Sequence, residues 1–434
     1  MRFEIDWQAP FETESPEAIT FASLRLTVGG ATATAVEDSI AQTIREEIFV
    51  SIYPLAWFLV ENWWRLRWEP APSSPSAAWK LRHSLAAVGD GYNWPDLEFA
   101  SDGEAILAQM RAGSASDTSP IRYVRSLSEW IQASDFERFV DSLLETIAGR
   151  LDARRYRDTD LQRLLDELRN ERSDPEFSRW RQLEAMAGYD PDEAPEEFIA
   201  ALVALTDEIG WSTLQELTAH SRERALEDIV SLTEVLKQRG TDFQITELNS
   251  LRESVANDVG NTTNPPWVRA AEAAHKTRQH FGLNGESISS RRLAEIFDVS
   301  EAILANSEPA VAPCSASLNA EDNGRDELVI DKRLPSSRRF AVCRLLGDRL
   351  YATRENGRLS AATDAATARQ KFQRAFAQEL LCPFDALKAA IGRGPVSDDK
   401  METAAEHFGV SPLLIRSTLV NRGMISRDRL EDQF

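Results

Sequence analysis

Eight of the eleven tryptophans of this 434-residue chain lie in its first 130 residues: Trp7, Trp57, Trp63, Trp64, Trp68, Trp79, Trp94 and Trp130. Indole side chains usually fill cores, so this stretch calls for a packed region of its own. Alternating or β-rich runs at Arg2–Trp7, Ile19–Val28 and Glu47–Tyr53, with a Gly29-Gly30 turn, predict strands. Leu55–Trp64 predicts a helix. A single core is not expected at this length; two or three domains are.

Charge divides the chain next. The net of −21 sits in residues 1–264, which carry 47 acidic and 25 basic side chains, whereas residues 265–434 carry 23 and 24. Residues 134–260 read as helical. Phe136, Phe139, Val140, Leu143, Leu144, Ile147 and Leu151 make one apolar stripe at helical spacing. Ser134 with Glu137 fits a capping box. Helical patterns continue at Leu161–Leu168, Phe177–Ala187, Ala194–Ile209, Thr213–His220 and Arg222–Arg239, and Asn257–Pro266 is the best linker candidate. The expected organisation is an α+β, mostly helical chain: a Trp-rich α+β domain (1–133), an acidic helical domain (134–260) and a C-terminal domain (265–434).

Two clusters in the first region combine aromatics with charges. Glu61, Arg65 and Arg67 lie in E-N-W-W-R-L-R-W-E-P; His83 precedes G-D-G-Y-N-W-P-D-L-E-F-A-S-D-G-E, which holds Asp96, Glu98 and Asp102. Such a set can form a pocket, with the arginines clamping an anion and His83 doing acid–base work beside a carboxylate. The competing reading is structural: G-D-G and S-D-G form turns, and W-P-D-L-E-F alternates as a strand does.

The most distinctive stretch is Arg338–Pro383. It reads R-R-F-A-V-C-R-L-L-G-D-R-L-Y, then A-R-Q-K-F-Q-R-A-F-A-Q-E-L-L-C-P. This resembles the ImmA/IrrE family of metallopeptidases, whose pattern is R-F-x-x-x-H-E-x-G-H followed by E-x-x-A-N-x-F-A-x-E-L-L-x-P. Arg339, Phe340, Gly347, Phe376, Ala377, Glu379, Leu380, Leu381 and Pro383 match. The chemistry does not. Arg344 stands for the first ligand His, Leu345 for the general-base Glu, Asp348 for the second His and Gln370 for the third-ligand Glu.

An H-E-x-x-H helix works by presenting two imidazoles from one face around a metal-bound water. Arg344 instead brings a fixed positive charge, Leu345 accepts no proton, and Gln370 supplies no charge. Neither a zinc site nor another cofactor is expected. Arg344 and Asp348, four residues apart, are expected to pair as ions on one helix face. The resemblance extends over residues 265–425, from the helices of Pro266–Leu283 and Arg291–Ser300 to the closing Met401–Ile425 pattern. It implies a zincin-like domain, with strands at Ala310–Leu318 and Glu327–Ile330, that has lost its metal and kept a partner-binding cleft.

That resemblance makes a non-catalytic, protein-binding regulator or adaptor the favoured expectation, in bacterial stress response, mobile-element control or phage defence. An enzyme or ligand-binding site in the Trp-rich region is one alternative. A DNA-binding regulator is the other, because R-R-L-A-E-I-F-D-V-S-E-A-I-L and A-A-E-H-F-G-V-S-P-L-L-I-R-S-T-L resemble helix-turn-helix units. Their second helices carry few basic residues, and an acidic body disfavours phosphate backbones. Cys314, Cys343 and Cys382 show no C-x-x-C spacing, as expected of reduced thiols in a cytoplasmic protein. The start lacks signal-peptide regions. The longest apolar run, Ile48–Val60, is too short to span a bilayer, so no membrane partner is expected.

Overall fold

The structure, a computed structural model, describes residues 1–8, 15–113, 121–245, 247–305, 308–319, 325–351 and 358–426. It is α+β, with 55% helix and 16% strand, so helix dominates as expected. The chain divides into two compact units, Met1–Ala200 and Ala201–Phe434, rather than three. The helix Ala133–Ala153 explains the difference. Its stripe from Phe136 to Leu151 is buried in the same core as Leu24, Trp63 and Phe99, so no boundary falls at 133. Nor is Asn257–Pro266 a linker between domains. It turns the chain between the helices Leu248–Gly260 and Pro266–His280, whose Val255 and Ala270 share one core.

In the first unit, Phe21–Val28 is the central strand of an antiparallel sheet. Arg2–Trp7 pairs with one edge, and Ala31–Thr32 and Ile48–Ser51 with the other. Ala22, Leu24, Leu26 and Val28 point into the core with strict alternation. Val28 and Ala31 face each other across Gly29 and Gly30, whose φ values are 56° and 86°. A tight hairpin turn of this kind needs positive φ at both central residues, which glycine adopts without strain. A second sheet orders Leu127–Gln132, Ala105–Met110 and Leu97–Ser101. The expected capping box at Ser134 is absent. Gln132 is the N-cap, and Glu137 turns aside to accept from Arg67 Nε at 2.5 Å.

The second unit holds a four-stranded antiparallel sheet in the order Thr241–Phe243, Asp326–Val329, Ser315–Leu318, Leu359–Ala362. The helices Pro335–Tyr351 and Ala368–Leu381 pack against each other. Gly347 permits that approach, since a Cβ there would lie 2.9 Å from Phe376 Cδ1. Arg339 spreads its guanidinium over Ile288 O, Ser290 Oγ (2.9 Å) and Gly409 O (3.2 Å), tying its helix to two others. Glu379 accepts from Phe384 N at 3.1 Å and so caps the helix Phe384–Ile391 that follows Pro383. Several of the motif residues that carry the family resemblance therefore have local structural work. Among the described residues, no helix is long and apolar enough to cross a membrane.

Candidate functional site

The positions that the sequence resemblance sets against zinc ligands lie buried inside the second unit, where Arg344, Asp348 and Gln370 join a dense hydrogen-bonded network. Arg369 clamps Asp348 with two bonds, Nε to Oδ1 at 2.6 Å and Nη2 to Oδ2 at 2.7 Å. Asp348 is 0% exposed and Arg369 3%. Gln373 Nε2 adds a third bond to Asp348 Oδ1 at 2.6 Å, and Arg369 Nη1 reaches Ser212 and Thr213 hydroxyls. Burial opposes the charge on Arg369, but Asp348 outweighs it and holds the guanidinium above its ordinary range.

Arg344 has different partners. Its Nη2 donates to Gln370 Oε1 at 2.6 Å and to Thr363 O. Gln370 Oε1 also accepts from Thr363 N at 3.0 Å, while its Nε2 donates to Ala361 O at 3.1 Å. Burial, aided by the nearby Arg374, pushes the Arg344 guanidinium down to about 10, and its Nε is buried without a hydrogen-bond partner. The expected Arg344–Asp348 ion pair does not form. Both carboxylate oxygens are taken by a bidentate arginine from the neighbouring helix, a geometry that a single-turn pair on one helix cannot match.

This donor set does not fit a zinc ion. Arg344 keeps a positive charge where the dication would sit, Leu345 is an apolar core residue, Asp348 has both oxygens bound and Gln370 has its oxygen twice engaged. Glu216 completes the cluster by accepting from Thr367 Oγ1 at 2.6 Å. Burial raises its carboxyl above the ordinary range despite Arg369 and Thr367. Cys314 and Cys343 are buried free thiols pushed up to about 12 by burial, which leaves them weak nucleophiles.

Of the seven candidates in the first unit, Arg65 and His83 meet on one carboxylate oxygen of Glu69, and the other five have other partners or surroundings. His83 is fully buried, with Nε2 2.9 Å from Glu69 Oε2, Nδ1 2.8 Å from Phe99 O and the Trp79 ring stacked at 4.0 Å. Arg65 holds Glu69 at 2.7 Å and Asp190 at 2.8 Å. Arg67 bonds Gly103 O at 3.0 Å and lies 4.0 Å over Trp68. Asp96 accepts from Ser84, Glu98 pairs with Lys80, and Asp102 accepts from the Glu104 and Ala105 amides in its turn. Glu61 is exposed in a depression of about 360 Å³ that none of the other six lines. The partner of His83 is thus Glu69, which sequence reasoning passed over.

A groove of about 1000 Å³ opens in the second unit. Trp267, Val268, Phe340, Leu413 and Leu414 are among the residues that line it. Trp267 is 40% exposed, Val268 36% and Leu413 58%. Phe340 lies one helical turn before Arg344, so the groove runs along the same helix as the buried network. Arg374 joins the two: it lines the groove and donates to Thr363 O at 3.5 Å, the carbonyl that Arg344 also uses, and to Ala365 O at 3.1 Å. Neither Arg374 nor the groove's Lys371 was singled out from the sequence; their i, i+3 spacing beside Gln370 was the available signal.

No family model, curated protein or solved structure matches this chain.

Proposed function

We propose that this chain is a non-catalytic regulator or adaptor that works by binding a protein partner through its second unit, and that this unit is a zincin-like domain of ImmA/IrrE type without its metal chemistry. One observation carries the reading. The positions expected to hold zinc are closed into an ion-paired, hydrogen-bonded core, while a large groove stays open along the same two helices. The setting implied by the sequence resemblance is bacterial stress response, mobile-element control or phage defence.

The test is a tagged pull-down from the native host, nuclease-treated, with metal content measured on the same sample. A near-stoichiometric protein that also binds the purified chain supports the reading. Zinc at one per chain, or hydrolysis of the captured protein, overturns it.

A further inference from the structure

The depression of about 360 Å³ that holds Glu61 lies in the first unit. Tyr53, Trp57 and Glu61 line it at four-residue spacing along the helix Tyr53–Glu61 and so share one face. Glu17 reaches it from the helix Pro16–Ile19, Leu81 and Arg82 from the helix Ala77–His83, and Asp90 from beyond that helix. Three carboxylates, Glu17, Glu61 and Asp90, thus face one guanidinium, Arg82. Arg82 Nη2 is held at 2.5 Å by Asp190, which does not line the depression. None of the three carboxylates has a hydrogen-bond or ion-pair partner among the described residues. The field they set up is felt at Tyr53. Burial raises its phenol, and the charges of Glu17 and Asp160 raise it further, against hydrogen bonds with Leu161 and Thr159.

Asn62 is an independent sign of a ligand. It lines the depression and is 2% exposed. Its Nδ2 donates to Phe58 O at 2.8 Å, which fixes the orientation of the amide, and its Oδ1 is left buried with no donor. A buried acceptor without a donor is destabilising, and a ligand that brings positive charge relieves it. Aromatic rings favour cations too, and Leu81, 59% exposed, offers apolar surface beside them. We propose that this depression binds a small organic cation, an ammonium or guanidinium head on an apolar stem, held by the surrounding carboxylates and the rings of Trp57 and Tyr53. The volume suits a small ligand. The site does not depend on the partner-binding reading given for the second unit.

Three probes with a common stem test it: hexylammonium, hexanol and hexanoate, titrated into the full chain by calorimetry and followed by ligand-observed NMR. Hexylammonium is expected to bind with a Kd below about 10 mM. It should bind at least about 5-fold more tightly than hexanol, with hexanoate weaker still, and salt should weaken it. Glu61→Lys, at an exposed position, is expected to weaken hexylammonium about 5-fold and to leave hexanol unchanged. Trp57→Leu is expected to weaken it about 3-fold. An unchanged melting temperature identifies each variant as folded, and Glu61→Lys carries the test alone if Trp57→Leu unfolds.

Hexanol or hexanoate binding as tightly as hexylammonium overturns the proposal. So does hexylammonium that fails to bind at about 10 mM, or whose binding Glu61→Lys leaves intact. A capped lysine peptide separates the two sources of such a cation. Binding as tight as hexylammonium assigns the site to a side chain of another protein, and weaker binding assigns it to a free amine; both outcomes support a cation site.

Discussion

Replacing Asp348 by Asn tests the buried network most directly. The change preserves shape and removes only the charge. It leaves Arg369, 3% exposed, with hydroxyl and amide partners in place of a carboxylate held at 2.6 and 2.7 Å. Breaking a buried ion pair from one side costs about 3–5 kcal/mol, because the remaining ion is neither solvated nor neutralised. Glu216 also favours the charged Arg369, which places the expected loss near the lower end, about 3 kcal/mol. At about 2–4 °C per kcal/mol for a unit of this size, the melting temperature falls by about 6–12 °C. Differential scanning calorimetry of the full chain measures it. The double variant Asp348→Leu with Arg369→Met removes both charges and should recover most of the loss. A shift below about 2 °C for Asp348→Asn, or a double variant as damaged as the sum of its singles, would refute the reasoning.

Gly347→Ala places a methyl 2.9–3.2 Å from three atoms of buried Phe376, and overpacking there is expected to cost about 1–3 kcal/mol by urea unfolding; a loss below about 0.5 kcal/mol would mean that Phe376 can yield. Glu216 has its carboxyl raised by burial above the ordinary 4.5, so its folded-state preference is complete below that value and lost as pH rises through the folded one. Wild type should therefore lose stability relative to Glu216→Gln as pH rises above the ordinary carboxylate range, and urea midpoints that move the other way contradict this. Glu69 is the opposite case: burial opposes its charge, but His83 and Arg65 hold the carboxyl below the ordinary 4.5, so its contribution is present above that value and fades as pH falls through the folded one. Glu69→Gln is expected to cost about 1.5–3 kcal/mol near neutral pH and less in acid; a cost independent of pH would show that the charge is not what stabilises the site.

Local pattern was readable where a face is buried continuously. Alternation marked Phe21–Val28, and the 3.6-residue stripe marked the helix Ala133–Ala153. Short edge strands were not readable: Thr241–Phe243 and Leu359–Ala362 have three and four residues and little pattern to show. Pairings between elements were the largest loss. Asp348 and Arg369 lie 21 residues apart and His83 and Glu69 lie 14 apart, so only tertiary packing brings each pair together. The capping expectation at Ser134 failed for the same reason. Glu137 was the right residue for a local bond, and Arg67, 70 residues away, offered a charged one.

Taken singly, Arg344, Leu345, Asp348 and Gln370 read as four separate losses from a metal site. The geometry joins Arg344 to Gln370 and Asp348 to Arg369, while Leu345 packs in the apolar core. Gln370 accepts a hydrogen bond that Arg344 donates, and Asp348 neutralises Arg369, a residue the metal motif does not mention. Each replacement would be costly alone, since an arginine without an acceptor or an aspartate without a cation is expensive to bury. Together they satisfy most of one another's bonding and fix the spacing of the helices Pro335–Tyr351 and Ala368–Leu381. Those two helices also carry Phe340, Lys371 and Arg374 into the groove. Arg344 and Arg374 also share the carbonyl of Thr363, which Arg374 reaches at 3.5 Å. The network that excludes zinc is thereby linked to the surface proposed to bind a partner.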